Sequence, residues 1–310
     1  MAELSILIVS YNVKGLLSNC IRSLYASTYK DFEIIVADNN SADGSADEVE
    51  RLFPGVKLIR NTSNKGFSAG NNQALSAASG EYIFLLNPDT EVQENTLQQL
   101  MDFAAQTKDA GVIAPMLLNT DGTYQASSFN FYTLGSELGE TFFINYIKDL
   151  HTPFPAGEAG LIHEVDAVSG AAMLMSRQVM ESAGGGLDEE LFWSEDMDLC
   201  FRIRRLGLKV YYYPQAVLTH HLSKSARQDY RIPISNQVLS RLKFFRKNKS
   251  VPEWLAVVML SYVHVISRGL LFAVLAAGKR TALLKLKAYV FTFGKLTRYL
   301  VRSDRSVITR

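Results

Sequence analysis

Tyr82-Ile83-Phe84-Leu85-Leu86-Asn87-Pro88-Asp89-Thr90 decides the fold class. Five residues of near-continuous apolarity predict a strand buried on both faces, as in a sheet covered by helices. The run stops at an amide, a proline and a carboxylate, so a buried strand delivers an acid to the mouth of a sheet. In open α/β sheets that carboxyl edge is where ligands bind. An acid there can hold a hard divalent cation against a phosphate-bearing substrate. Read alone, Asn-Pro-Asp-Thr could equally be a turn followed by a helix N-cap, so the surrounding chain has to choose.

Working outward, Leu4–Val9 reads as a strand, followed by a helical pattern through Leu16, Leu17, Cys20, Ile21 and Leu24. Phe32–Ala37 is a second strand, 43–52 a helix, Val56–Ile59 a short strand and Phe67–Ala78 a helix. This alternation predicts a mainly parallel sheet with right-handed crossovers. Several strand ends carry chemistry. The first ends at Ser10-Tyr11-Asn12, an aromatic flanked by hydrogen-bonding side chains, suited to stacking on a base and reading it. The second ends at Asp38, an acceptor placed for a pyrimidine N–H. After the third, Asn61 to Asn72 includes Asn64 and Gly66, which permit φ > 0 turns, and the next helix offers its N-terminus to anionic groups. Asx turns and helix caps use the same residue types, but four such ends on one sheet edge favour a site. Residues 129–160 are irregular and rich in aromatics (Phe129, Phe131, Tyr132, Phe142, Phe143, Tyr146), which predicts a mobile loop over that site.

Farther along, Glu195, Asp196 and Asp198 open a helix running through Leu199, Ile203 and Leu206, with Arg202, Arg204 and Arg205 near its end. One acid at a helix start complements the dipole. Three acids after Trp193 exceed that need. His220 follows the strand-like Val210–Leu218. A lone His in that setting is more often structural than a ligand, and the neighbouring His221 shares the position.

Composition divides the 310 residues in two. From His220 onward there are 18 Lys and Arg against three acids, and before it 14 against 28, which leaves a net charge of only +1. This asymmetry predicts two parts with different partners, residues 1–225 and a basic helical extension over 226–310. Within the extension, Leu255–Ala277 is apolar except for Ser261, His264 and Arg268 on one face, and an Arg at the centre argues against a plain membrane span. Lys295, Arg298, Arg302 and Arg305 recur at helical spacing between Leu296, Tyr299, Leu300 and Val301. That pattern suits an amphipathic helix lying on an anionic leaflet; the alternative is a bundle that binds only the acidic front half. No nucleic-acid recognition motif accompanies the charge. Cys20 and Cys200 show no ligand or redox spacing, and Leu4–Val9 follows no basic leader. Both features predict a cytoplasmic protein.

As a set, the stretches Ser5–Asn12, Val36–Ser45, Asn64–Asn72, Leu86–Asp89, Gly170–Leu174 and Trp193–Arg202 resemble the inverting family 2 glycosyltransferases of GT-A fold. Order and spacing agree over residues 4–222, about 70 % of the chain. The nearest branch is rhamnosyltransferase-like, where Asn-Pro-Asp replaces Asp-x-Asp, so that an amide, Asn87, stands in place of one metal-binding acid. The resemblance implies an α/β GT-A (Rossmann-like) domain that takes a nucleotide sugar through Ser10, Tyr11, Asn12, Asp38, Asn64, Gly66, Asn72 and Asn87. It implies Mg²⁺ or Mn²⁺ at Asp89, with His220 reaching the metal or diphosphate. The general base would come from the Glu195-Asp196 pair, Asp196 foremost, and the acceptor would meet Trp193 and Asp198. The expected donor is dTDP-L-rhamnose and the expected acceptor a lipid-linked glycan, which would place a peripheral protein on the inner face of the cell membrane. Two other functions compete. A sugar-nucleotide nucleotidyltransferase should carry a Gly-rich basic loop after its first strand, and Ser10-Tyr11-Asn12-Val13-Lys14-Gly15 is a poor match. A non-catalytic carbohydrate-binding scaffold would have no use for Asp38, Asp89 and Asp196 together.

Overall fold

A computed structural model describes residues 2–144, 153–221, 230–276 and 279–307, with side chains as far as residue 301. Tyr146 and Ala277 lie outside the described residues, as do the side chains of Arg302 and Arg305. In chain order the elements begin with β1 (Leu4–Ser10), α1 (Lys14–Ala26), β2 (Phe32–Asp38), α2 (Ser45–Leu52), β3 (Lys57–Arg60), α3 (Phe67–Ala77) and β4 (Tyr82–Leu86). Next come β5 (Thr90–Val92), α4 (Thr96–Gln106), β6 (Ala110–Leu118), β7 (Tyr124–Gln125), β8 (Ser128–Phe129) and α5 (Leu134–Thr141). They continue with β9 (His163–Val165), β10 (Ala167–Val168), β11 (Ala172–Ser176), α6 (Arg177–Ser182), α7 (Glu195–Arg205) and β12 (Lys209–His220). The chain closes with α8 (Arg231–Asn248), α9 (Val251–Leu275) and α10 (Arg280–Val307).

Two compact units result. The first comprises Met1–Phe131, Thr152–Glu190 and Glu195–Leu222; the second comprises Tyr132–His151, Leu191–Ser194 and Ser223–Arg310. In the first, the main sheet runs β3-β2-β1-β4-β11-β6-β12-β5. β3, β2, β1 and β4 are mutually parallel, as are β6 and β12, while β11 runs antiparallel to both of its neighbours. This is the α/β architecture the sequence predicts.

All seven residues of β1 are buried. Leu4, Ile6 and Ile8 join the core with Leu17, Cys20, Ile21 and Leu24 of α1, and the alternate residues face the other way. There α3 packs so closely that a Cβ on Gly70 would come within 2.8 Å of the Val9 side chain. A strand clothed on both faces has little room for polar residues, which is why β1 from Ile6 to Val9 and β4 from Ile83 to Leu86 read as apolar runs.

Asn-Pro-Asp-Thr turns the chain into a short strand rather than a helix N-terminus. Thr90 Oγ1 donates to the carbonyl of Asn87 at 2.7 Å, and Thr90 opens β5, which pairs antiparallel with the end of β12. Within β12 the register slips between Tyr213 and Val217, where Pro214 cannot donate to a ladder. Beyond the slip the strand continues to His220.

The second unit holds α5, α8, α9 and α10. The aromatic-rich segment is not irregular where it is described. α5 starts at a capping box in which Thr133 and Ser136 exchange side-chain-to-backbone bonds, and this fixes the first turn without apolar periodicity.

Candidate active site

β1 and β2 end side by side, with Ser10 opposite Asp38 in the parallel register. One carboxylate oxygen of Asp38 accepts the Ser41 N–H at 2.9 Å. The other, Oδ1, is buried with no hydrogen-bond partner, and so is Ser10 Oγ. A buried acceptor left unpaired is costly, so this pair marks a place where a ligand N–H or O–H completes the structure. Tyr11 is half exposed beside them. Asn12 takes φ 55°, and its side-chain oxygen accepts the Ala42 N–H at 2.8 Å while its own N–H donates to Ser41 Oγ at 2.9 Å. Asn12 therefore laces the loops after β1 and β2 together.

The loop before α3 is built on Asn64 and Gly66. Asn64 Oδ1 accepts the Gly66 N–H at 2.9 Å, and Gly66 adopts φ 86°, a conformation that favours glycine. Asn39 braces the same loop by donating to the Gly66 carbonyl at 3.0 Å and accepting from Asn61 at 3.0 Å. Asn72 faces elsewhere. Its amide clamps the N–H and C=O of Leu187 and reaches Glu189, each at 2.9 Å. Those bonds use the side chain for the loop ahead of α7.

Asp89 follows β4 and is 7 % exposed. The β5–β12 register sets His220 opposite Thr90, so the imidazole comes to Asp89 from across the sheet. His220 Nε2 lies 3.3 Å from Asp89 Oδ1 and 3.4 Å from Asn87 Nδ2. His221 points to the other face and pairs with Glu91 at 2.9 Å. The position shared by the two histidines is thereby divided, because successive strand residues face opposite sides. Cys20, a buried thiol pushed up to about 12 by burial and therefore unreactive, packs under the turn 3.7 Å from the Asn87 carbonyl.

A carboxylate oxygen and an imidazole nitrogen converging on one spot fit Mg²⁺ or Mn²⁺. Among the described residues no three His, Cys, Asp or Glu form a complete cage. That also fits a hard cation whose remaining ligands are phosphate oxygens and water.

Asp196 stands in the first turn of α7. Its two oxygens accept the N–H groups of Gly170 at 2.9 Å and Met197 at 2.7 Å. Burial nonetheless pushes its carboxyl above the usual carboxylate range, against the downward pull of those bonds. Glu195 precedes it on the same turn. Asp198 is fully buried and accepts from Arg202 Nε at 2.9 Å, while the same guanidinium donates to the carbonyls of Ala183 and Gly186. The Asp198 carboxylate, through Arg202, therefore ties α7 to the preceding loop. In the second unit Trp193 is 49 % exposed and stacks on Phe192, with φ 84°, a strained value for a residue other than glycine.

Three participants have no signal in the sequence. Gln125 meets His220 across 95 positions, with Asn119 bonded behind it, and Arg202 grips the Ala183 and Gly186 carbonyls of the loop before α7. A cavity of about 530 Å³ lined by Tyr82, Ala104, Ser176 and Gln178 opens near the start of β4, at the opposite end from Asp89.

The sequence profile described as glycosyl transferase family 2 matches residues 5–180. The chain is 30 % identical over 241 residues to the O-antigen biosynthesis protein RfbC of Myxococcus xanthus, which covers 77 % of this chain and 19 % of that protein. It is 24 % identical over 247 residues to an N-acetylglucosaminyl-diphospho-decaprenol L-rhamnosyltransferase of Mycobacterium tuberculosis, covering 73 % of this chain and 78 % of that one. The chain spans about a quarter or less of the length of two of the curated relatives it matches. Among solved structures it is similar to the mannosyltransferase PcManGT of Pyrobaculum calidifontis, determined with GDP-Man and Mn²⁺. The TM-score is 0.57 at 16 % identity, over 96 % of this chain and 87 % of that one, a likeness of fold.

Proposed function

The chain belongs to glycosyl transferase family 2, and from that premise we propose that it moves a sugar from a nucleoside diphosphate to a hydroxyl of a glycan acceptor, with inversion. The observation that carries this reading is the convergence of Asp89 and His220 on the sheet edge that also holds the unpartnered Asp38 oxygen. Asp38 and Ser10 would accept and donate to the base, with Tyr11 stacked beside it. Asn64 and Gly66 would shape the loop that faces the phosphates. Asp89 and His220 would hold Mg²⁺ or Mn²⁺, which when bound supplies positive charge to the departing diphosphate, and Asn87 beside them would meet the nucleotide sugar.

Asp196 is the proposed general base, with Glu195 beside it. An acceptor hydroxyl is a weak nucleophile until a carboxylate takes its proton. As the proton passes to Asp196, the hydroxyl oxygen bonds to the anomeric carbon. The bond from that carbon to the diphosphate oxygen breaks on the opposite face. A carboxyl raised by burial binds that proton more firmly than an ordinary aspartate, which suits the task. Trp193 is assigned to the acceptor sugar on its exposed indole alone.

The donor we propose is dTDP-L-rhamnose and the acceptor a lipid-linked glycan. Residues 1–225 would be catalytic and 226–310 would associate with the inner face of the membrane. α9 supports the last point through inverted polarity. Ser261 and Arg268 of its polar stripe are buried, whereas Met259, Leu270 and Val274 are 65, 65 and 78 % exposed. By length and composition α9 is also apolar enough to cross a bilayer, but Arg268 at its centre favours an in-plane position. The test is a panel of nucleotide sugars offered to the purified full chain, with Mn²⁺ or with chelator. Metal-dependent release of nucleoside diphosphate from one donor supports the assignment. Tight donor binding without turnover toward any acceptor would favour the non-catalytic alternative.

A further inference from the structure

Beside Asp89 the hydrogen bonds settle which ring nitrogen of His220 carries a proton, and we propose that Gln125 of β7 is the positioning residue that sets it. This rests on the metal reading only for its purpose, since the bonds themselves involve no metal.

The argument starts from groups that can act in one sense only. Asn119 Nδ2 lies 3.4 Å from the Tyr124 carbonyl, and Gln125 Nε2 lies 3.4 Å from the His220 carbonyl. Backbone carbonyls only accept, so both amide nitrogens face them as donors. Gln125 Nε2 also donates to Asn119 Oδ1 at 2.9 Å, consistent with the same orientation. The remaining Gln125 atom, Oε1, is an acceptor and stands 2.7 Å from His220 Nδ1. Nδ1 must therefore carry the hydrogen. In the neutral ring Nε2 then presents its lone pair, with the Asn87 amide 3.4 Å away at its flank.

Asp89 Oδ1, 3.3 Å from the same Nε2, has no hydrogen to offer when ionised. Two electron pairs facing each other inside the protein are a poor arrangement unless a cation joins them. A free imidazole prefers its hydrogen on Nε2, in which state it would bond Asp89 and block that cation. Gln125 reverses the preference, much as a carbonyl or carboxylate behind a metal-bound histidine does. The chain from Asn119 through Gln125 to His220 thus prepares a metal-accepting nitrogen from residues 95 positions apart.

The ring nitrogens can be read directly by long-range ¹H–¹⁵N correlation on ¹⁵N-labelled full-length protein. The sequence holds five histidines, and His220→Gln identifies the relevant signals by their loss. The wild-type ring should show the Nδ1–H form. Gln125→Leu should shift it toward Nε2–H and weaken Mn²⁺ binding, followed by electron paramagnetic resonance, by about 10- to 100-fold. Gln125→Glu keeps an acceptor opposite Nδ1 and should retain both the tautomer and most of the affinity. A wild-type Nε2–H ring overturns the assignment, and so does a Gln125→Leu protein with its tautomer unchanged, whether or not it has lost Mn²⁺ affinity. Absence of Mn²⁺ binding by the wild type, with nucleoside diphosphate present, would sink the metal reading separately, while the ring signals still decide the role of Gln125.

Discussion

Asp196 shows how a single side chain can be held and still kept reactive. Two backbone N–H groups fix its orientation, and burial raises its affinity for a proton. Replacing it by Asn preserves the shape and removes the basicity. Asp196→Asn should lower turnover by roughly 10²–10⁴ while donor affinity stays within a few fold. A comparable loss from Glu195→Gln, with Asp196→Asn near wild type, would move the base one residue back. The base must be ionised to act, so activity should fall as pH drops through a value above the ordinary aspartate range. A rate profile whose acid limb sits at an unperturbed carboxylate would contradict that. Asp89 acts by charge instead. Asp89→Ala should abolish metal-dependent nucleotide binding, measured by titration calorimetry, with the fold intact by circular dichroism. Unchanged binding in the presence of chelator would remove Asp89 from the metal site.

Among the elements, β2 shows how much of the fold depends on one paired carboxylate. Glu33 receives Lys57 at 2.6 Å, Ser5 Oγ at 2.6 Å, and the N–H and hydroxyl of Ser79 at 2.6 and 2.9 Å. It thereby ties β2 to β1, to β3 and to the loop before β4. Burial alone would raise its pKa, but Lys57 and the hydroxyls outweigh that and bring it down to about 2. The folded-state value lies below the unfolded one, so the stabilisation is complete above the unfolded value and fades as pH falls toward 2. Chemical denaturation of wild type and Glu33→Gln should therefore differ at pH 7 and converge near pH 2. A difference that stays constant with pH would assign the loss to packing. The pairing of β5 with β12 does the other decisive thing at this scale. A shift of one residue in that register would turn His220 away from Asp89 and bring His221 in.

Across the whole molecule, the charge is divided along the chain, and α9 of the second unit carries exposed apolar residues such as Met259, Leu270 and Val274. α9 turns Arg268 inward, where it donates to the Glu140 carbonyl at 2.8 Å and lies over the Phe143 ring. Its apolar side is left outward. Truncating the chain before α9 would uncover α5, so substitutions make the cleaner test. Met259→Glu with Leu270→Glu should release the full chain from vesicles containing anionic lipid. Lys295→Glu with Arg298→Glu should weaken binding in a salt-dependent way, each basic residue near the leaflet contributing about 1 kcal/mol. Co-sedimentation reads both, and pelleting of both variants at wild-type levels would make the second unit a structural bundle. Nucleotide binding should persist in either variant.

The chain itself determined the apolar runs, the strands they form and the acids that follow them, because burial on two faces leaves the interiors of β1 and β4 almost wholly apolar, and a strand must change character where it leaves the sheet. The positions of Ser10, Asp38 and Asp89 at the ends of apolar strands were legible for that reason. Tertiary structure decided the rest. It brought His220 rather than His221 to Asp89 through strand register, it supplied Gln125 and Asn119 behind the imidazole, and it took Asn72 and Asp198 for internal bonds. It also set the apolar side of α9 outward. Each of these depends on which residues meet across the fold, and contacts between distant positions leave no period or motif along a sequence.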